Sequence, residues 1–341
     1  MAPKKIYREL ELTEPVDLCL PNGQLNRRAV GWSRKPLHNC NLSGSPLRKK
    51  RWNYWCVTTN DFLFSVTLSD IDYLGLAFVY FLDFKSLTFQ ELTVPRLFGK
   101  GCNLGNHVSD NVEFSDQKLN LIFQTTAGQT LIKVDCPDFG GAPLSADLAI
   151  EIPATHESLN VVIPWSNNRF QFTAKQNTLP AKGMVTVGDK CYNAEGGFAC
   201  LDFGRGKWPF SSFWNWASAS GTSNGCTIGL NFGAGWTDGT GMNENGVCLN
   251  GKLYKISEDL SFEYDKFNFM NQWRIRSTLS DTVDLYFEPF FERVAKTNVF
   301  ILGSEVHQLI GRFFGLFKDE WGKCYSIDNL IGWAEDHQAR W

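Results

Sequence analysis

Residues Leu201–Trp236 read LDFGRGKWPFSSFWNWASASGTSNGCTIGLNFGAGW, and this stretch decides the fold class. Read as a strand, Trp214 to Ala217 places Trp214 and Trp216 on one face and Asn215 on the other. The segment Gly221-Thr-Ser-Asn-Gly225 that follows matches the nucleophile-elbow pattern G-x-S-x-G. An elbow needs a strand, a sharp turn and then a helix. Here CTIGLNFG comes next, which is a strand, so the segment reads as a hairpin loop. Four of the chain's twelve tryptophans lie in the stretch, three of them (Trp208, Trp214, Trp216) within nine residues. Rigid aromatics beside a few directed polar groups are what lines a concave apolar site.

The same rhythm extends in both directions. Upstream, residues 61–68, 111–125, 130–135, 146–152 and 159–163 run in short β-branched and aromatic blocks closed by Gly, Pro, Asn or Asp. Downstream, residues 252–256, 273–277, 283–287 and 307–317 do likewise. Asn22-Gly23 and Asn250-Gly251 are explicit hairpin signals. Windows with helical period are few, the best being a short helix near Glu335–Arg340. Many short strands between tight turns predict an all-β chain of two lipocalin-like antiparallel β-barrels packed side by side. The Gly-rich segment 181–197 marks the softest boundary. It divides an N-terminal barrel, residues 1–190, from a C-terminal barrel, residues 191–341, which carries the Trp-rich site.

Of the 341 residues, 43% are hydrophobic and 20% charged, the net charge is −3 and the pI is near 6.0. That balance argues against nucleic acid as a partner. The basic run Arg48–Arg51 precedes a strand-like segment and reads as a solvated loop. The longest apolar run, Leu74–Leu82, is too short to span a bilayer, and the N-terminus shows no apolar leader. The ten cysteines are scattered without a C-x-x-C pair, which predicts reduced thiols and a cytoplasmic location. The five histidines are isolated from one another, so no metal and no cofactor is expected. The segment from Gly246 to Lys252 comes close to a phosphate-binding loop but has Leu253 where the magnesium-binding hydroxyl belongs, and it reads as a turn instead.

Three constellations survive. Asp202, Arg205, Trp208, Trp214, Asn215 and Trp216 form the first, with Asn231 and Trp236 nearby. In it Asp202 and Arg205 either pair to orient or protonate a ligand group or tie down a loop. Asn243-Glu244-Asn245 forms the second, with Glu244 as an acid or base or a turn cap. The third is Gly332–Trp341, where His337 beside a carboxylate could move protons near neutral pH and the two tryptophans could anchor the chain end.

These residues also carry a resemblance. Gly31–Pro36 (GWSRKP), Lys50–Trp55 (KRWNYW), Asp202–Pro209 (DFGRGKWP), Phe213–Ser218 (FWNWAS), Gly229–Gly233 (GLNFG), Asn243–Asn245 and Trp333–His337 (WAEDH) together resemble a bacterial and fungal family of unknown function, across essentially the whole chain. The family is similar, at the level of fold, to proteins of two lipocalin-like barrels: carotenoid hydratases, a fungal lipid-binding survival factor and decalin-forming Diels–Alderases. The resemblance implies no assigned chemistry and carries over no catalytic residue.

The leading expectation is a protein that binds an apolar small molecule (isoprenoid, fatty acyl or lipid-like) in an aromatic-lined barrel cavity. Arg205, Trp208, Trp214, Asn215, Trp216, Asn231 and Trp236 are its ligand-binding candidates. The alternative is an enzyme on such a ligand, a hydratase, isomerase or cyclase working by proton transfer, with Asp202, Glu244 and His337 as catalytic candidates. A carbohydrate-active protein, with Trp214 and Trp216 as stacking platforms, and a purely structural scaffold are the remaining readings.

Overall fold

The structure is a computed structural model that describes residues 7–299 and 302–340. Residues 1–6, part of the segment inspected for a leader, and Trp341 of the third constellation lie outside it. Three two-residue strands, β1 (Val16–Asp17), β2 (Trp32–Ser33) and β3 (His38–Asn39), open the chain around a single 3-10 turn at Arg27–Ala29. A meander follows: β4 (Lys49–Thr58), β5 (Phe62–Asp70), β6 (Leu74–Asp83) and β7 (Thr88–Leu97). Next come β8 (Val112–Ser115), β9 (Asn120–Thr126), β10 (Gln129–Cys136), β11 (Leu144–Glu151), β12 (Leu159–Pro164) and the long β13 (Phe170–Val187). The short β14 (Lys190–Asn193) and then β15 (Gly197–Lys207) complete the first sheet.

β15 pairs with β13 on one side and with β4 on the other. The sheet therefore runs β7-β6-β5-β4-β15-β13-β11-β10-β9-β8, with β12 and β14 added beside β13. This is an up-and-down ring, open between β7 and β8. Side chains bridge the opening: Arg96 of β7 forms an ion pair with Asp116 and lies 5.3 Å over the Phe114 ring of β8.

The second sheet repeats the plan. It comprises β16 (Ser211–Ser223), β17 (Cys226–Ala234), β18 (Gly246–Leu249), β19 (Lys252–Lys255), β20 (Leu260–Glu263), β21 (Trp273–Ser277), β22 (Val283–Val299), β23 (Leu302–Lys318) and β24 (Cys324–Arg340). β24 returns to pair with β16, giving β19-β18-β17-β16-β24-β23-β22-β21-β20. The chain is all-β, two curled lipocalin-like antiparallel barrels side by side. No helix among the described residues is long and apolar enough to cross a membrane. All ten cysteines are free thiols.

Two expectations change. The sheets hand over between Lys207 and Ser211, so a boundary at residue 190 falls inside the first sheet. Residues 181–197 are not a linker, because β13 continues to Val187 and pairs with β14 around a hairpin at Gly188 (φ +58°). The helix expected near Glu335–Arg340 is the end of β24, held on one side by β16 and on the other by β23. Two hydrogen-bonded neighbours outweigh a weak local helical period. The turn signals hold: Asn250 and Gly251 (φ +48° and +79°) turn β18 into β19, Asn22-Gly23 (Gly23 φ +79°) lies in a turn closed by an isolated antiparallel bridge between Cys19 and Leu25, and the loop expected at Gly221–Gly225 turns β16 into β17 at Asn224 and Gly225 (φ +49° and +77°).

Each barrel is filled by its own side chains. Phe64, Phe114, Phe123, Phe172 and Phe203 belong to the first interior, and Phe232, Trp273, Phe287 and Phe313 to the second. An up-and-down ring of about this size is just wide enough for side chains to fill. Two further apolar clusters draw on both sheets, so they lie in the seam between the barrels. One gathers Tyr54, Cys56, Tyr80 and Cys200 with Trp216, Ile310 and Trp333. The other gathers Trp32, Leu159, Val161 and Ile163 with Trp208, Trp236, Met242 and Leu253.

Candidate functional site

Strand alternation sends the Trp-rich motif to the seam. On β15, Leu201 and Phe203 face the first interior, while Cys200, Asp202, Gly204 and Gly206 face outward. On β16, Ala217 and Ala219 face the second interior and Trp216 faces the first barrel. Trp214 and Trp216 share one face as expected, but that face is the seam and not a barrel cavity. The two glycines of Asp202-Phe-Gly-Arg-Gly-Lys-Trp are there for close approach. A Cβ on Gly204 would stand 2.1 Å from the Trp52 ring, and one on Gly206 2.1 Å from Gln171 Oε1. Gln171 Oε1 in turn accepts the Trp208 indole N–H at 2.8 Å. Trp208 sits at the centre of an indole cluster, with ring centroids 4.9 Å from Trp165, 5.2 Å from Trp236 and 5.4 Å from Trp214.

Beside these rings lies an ion cluster that spans the seam. Lys175 of β13 stands opposite Asp202 in the β13–β15 register. Its Nζ is 3.0 Å from Asp202 Oδ1 and 3.2 Å from Glu244 Oε2, which comes from the loop before β18. The same ammonium lies 4.2 Å over the Trp216 ring. Asp202 Oδ1 also accepts from Thr173 Oγ1 at 3.0 Å. Glu244 Oε1 accepts from Trp236 Nε1 at 2.8 Å. Trp216 Nε1 donates to Asn231 Oδ1 at 2.9 Å, and Asn231 Nδ2 donates to the Glu244 carbonyl at 2.7 Å. Burial lowers the Lys175 pKa, but the two carboxylates more than offset it and hold the ammonium above its ordinary range. Burial raises Glu244, with Lys175 opposing.

Just past Lys175, β13 carries a register shift between Gln176 and Leu179. Thr178 there has φ +58°, an outlier for a β-branched residue. The bulge docks on the second sheet: Asn177 Nδ2 donates to Ser218 Oγ at 2.9 Å and to the Leu230 carbonyl at 3.1 Å, and the Thr178 N–H donates to Ser220 Oγ at 3.0 Å. A crevice runs in beside it, lined by Lys175, Asn177, Asn231, Leu159, Cys248 and Leu253 among others. Its volume is about 10 Å³, the room one water molecule needs.

A second polar chain crosses the seam further along. The Tyr54 and Tyr80 hydroxyls are 2.9 Å apart, Tyr80 donates to Gln308 Oε1 at 2.8 Å, and Gln308 Nε2 donates to Glu335 Oε1 at 2.8 Å. Burial pushes Glu335 up to about 7, against the pull of Arg293 and Lys175.

The structure thus brings together Asp202, Glu244, Trp216, Asn231 and Trp236, with Trp208 and Trp214 adjoining. It separates the others. Arg205 does not meet Asp202, because the two point to opposite faces of β15. Its guanidinium enters the first barrel and donates to the carbonyls of Gly105, Trp52 and Gly204 and to Asn53 Oδ1. Burial lowers it to about 9. Asn215 faces the second barrel, donating to Tyr264 Oη and the Glu335 carbonyl, both at 3.0 Å. His337 stacks on Trp214 with centroids 4.0 Å apart and shares a 2.9 Å hydrogen bond with Ser304 Oγ. Burial and the Arg293 charge bring it down to about 3, so it stays neutral near pH 7. Ser223 of the elbow-like segment is spent on the Ser326 carbonyl and the Asp328 N–H. Among the described residues, no group of three or more His, Cys, Asp and Glu is placed to hold a metal ion. Sequence reasoning missed Lys175 and Asn177, and it placed Glu335 in the C-terminal set around His337 without giving it a role of its own. Lys175 had a visible signal, as a lone charge in the otherwise uncharged run Phe170–Pro180.

A family model described as a domain of unknown function (DUF2804) matches residues 9–341, and the chain belongs to that family. No curated protein matches. Among solved structures, the chain is similar to an AttH candidate from Nitrosomonas europaea, at 13% identity over 85% of this chain and 92% of that one, with a TM-score of 0.49. It is also similar to CghA crystallised with Sch210972, at 10% identity, 86% and 89% coverage and a TM-score of 0.46. A third is kievitone hydratase from Nectria haematococca, at 10% identity, 86% and 89% coverage and a TM-score of 0.45.

Proposed function

We propose that this member of the DUF2804 family binds an apolar small molecule with one polar end, an isoprenoid, fatty acyl or lipid-like compound, and that its site is the seam between the barrels rather than either interior. One observation carries the reading: a buried lysine, held by a carboxylate from each barrel beside an indole ring, in the lining of a crevice. Buried ion clusters are poor sources of stability, so their presence in a seam that apolar residues could fill needs another reason. Lys175 would receive the polar end of the guest. Leu159, Leu253 and the indole cluster would receive its apolar body, at roughly 0.8 kcal/mol for each methylene buried. A crevice of about 10 Å³ requires the barrels to part along the β13 bulge as the guest enters.

A second reading, proton-transfer catalysis on such a guest, is favoured by Glu335. An acid brought near neutrality and joined to two tyrosines through Gln308 has the pKa that general acid–base work needs. In this reading Asp202 or Glu244 would serve as the partner group.

The test uses indole fluorescence, since eight tryptophans pack in the two seam clusters. Oleate and farnesol are titrated into the wild type and into Lys175→Met, with native mass spectrometry of both purified proteins. The expected result is quenching by at least one compound, weakened about tenfold or more in the variant, or a copurifying small molecule that the variant lacks. No quenching by either compound, together with a wild type that carries no small molecule, ends the reading. Turnover of the guest by the wild type and not by Asp202→Asn would decide for the enzyme.

A further inference from the structure

We infer that the end of the first barrel formed by the Ser45–Arg48 loop, the β5–β6 turn and the segment after β7 is a docking surface for an anionic lipid membrane. The inference is independent of the seam. Three large apolar side chains stand in solvent there: Leu47, 54% exposed, Leu97, 75%, and Phe98, 74%. They are brought to one place by the backbone. The Arg48 and Lys49 N–H groups both donate to Asp72 Oδ2, the Phe98 N–H donates to the Tyr73 carbonyl, and Leu74 pairs with Leu97.

Two of the three are also held in a conformation that side chains of their size avoid. Leu47 has φ +65° and Phe98 φ +53°. A bulky residue in the left-handed region is strained, and here the strain serves to keep an apolar side chain in water. Neither feature helps the barrel fold. Both suit a surface that becomes buried when something apolar arrives.

The charges choose the occupant. Exposed Arg48 follows Leu47 and exposed Lys100 lies two residues past Phe98, while exposed Lys118 lies two residues past Asp116, which is ion-paired to Arg96 next to Leu97. The acids at this end are already engaged. Asp70 is 3.2 Å from Arg51, Asp72 is 3.2 Å from Lys49, and Asp116 is held by Arg96. Protruding apolar tips with exposed cations beside them in the chain match the interface of a bilayer with anionic headgroups. The run Arg48–Arg51 thus divides its work. Arg48 faces outward, Lys49 and Arg51 neutralise the local acids, and Lys50 is buried over the Tyr73 ring at 4.5 Å.

The test is cosedimentation of the full chain with vesicles of phosphatidylcholine alone and with phosphatidylserine mixed in. The wild type is expected to bind the mixed vesicles and to be released by salt. Leu97→Ser with Phe98→Asn, a pair that keeps the left-handed backbone accessible, should reduce binding at least tenfold. Removing Arg48 or Lys100 as Glu should each reduce it about fivefold or more. All these side chains are exposed, so the unfolding temperature should not fall, and Phe98→Asn, which suits the left-handed backbone better than Phe, should if anything raise it. Failure of the wild type to bind, equal binding to both vesicle types, or undiminished binding by the apolar pair variant overturns the inference. So does a self-association of the wild type that the same pair abolishes, since the patch would then serve a second copy of the chain.

Discussion

The barrel interiors and the seam between them are made by the same strands through opposite choices. On β13 and β15, Phe172, Ala174, Leu201 and Phe203 turn inward and join the apolar core of the first barrel. On their other faces, Gln171, Thr173, Lys175 and Asp202 turn toward the second barrel. The second barrel answers with Glu244, Asn231, Gln308 and Glu335, all buried. Two barrels could have joined through leucines. A seam built of charge and amide instead is costly wherever a partner is missing. The difference places stability in the interiors and makes the seam the region where composition is set by something besides folding.

The sharpest way to break that contrast is to change the ion cluster. Lys175→Met leaves Asp202 and Glu244 buried without their cation, and should cost about 3–5 kcal/mol in denaturant unfolding. Replacing all three together, Lys175→Met with Asp202→Leu and Glu244→Met, should restore stability to within about 1 kcal/mol of the wild type or exceed it. Guest binding should stay lost in the triple variant. A triple variant as unstable as the single one would show that the cluster is structural, and the contrast between seam and interior would fall.

Glu335 tests the seam by pH. Its folded pKa of about 7 stands above the ordinary 4.5. Below about 4.5 the group is protonated in both folded and unfolded chains, and its contribution is fully present. Between there and 7 the folded chain keeps a proton the unfolded chain has released, so stability falls as pH rises. His337, lowered to about 3, acts in the opposite sense below 6.5, so the whole-protein profile mixes the two. The difference between Glu335→Gln and wild type isolates the carboxyl. The variant should gain up to about 3 kcal/mol on the wild type between pH 5 and pH 8. A difference that stays flat across that range would mean the carboxyl titrates normally and the seam there is wet.

Much of the fold was legible because it is written in short-range signals. Turns at Asn224-Gly225 and Asn250-Gly251 need residues that accept positive φ, and those residues are visible one by one. The period-two alternation at Trp214–Ala217 likewise assigns faces correctly. What an alternating pattern lacks is the identity of what each face meets. Trp216 facing a neighbouring barrel and Trp216 facing a lumen have the same sequence, which is why the sequence points to indoles around a cavity. Asp202 and Arg205 are close in sequence but lie on opposite faces of one strand, a consequence of odd spacing that the residues themselves state. Lys175, and the network that Glu335 joins, were missed for a different reason. Their partners are 27 residues or more away on other strands, and pairing over such distances depends on sheet order, which local patterns do not contain.

The mildest expected effect concerns how firmly the two regions are joined. Gly229 of β17 lies under the β13 bulge, and a Cβ there would stand 2.7 Å from Asn177 Cβ and 2.9 Å from Thr178 Cγ2. Neither atom is the far end of a flexible side chain, so the bulge must lift as a unit. Gly229→Ala should therefore cost about 1–3 kcal/mol, less than losing Lys175 because no charge is left unpaired. The hydrogen bonds from Asn177 to Ser218 and Leu230, and from Thr178 to Ser220, would lengthen with it. The Trp216 ring should then become more open to quenching by acrylamide, while hydrogen exchange in β5 and β6, whose inward faces pack the first interior, stays unchanged. If quenching is unaltered and exchange rises in both barrels alike, seam and interiors yield together, and the seam is no separate region that a guest could open.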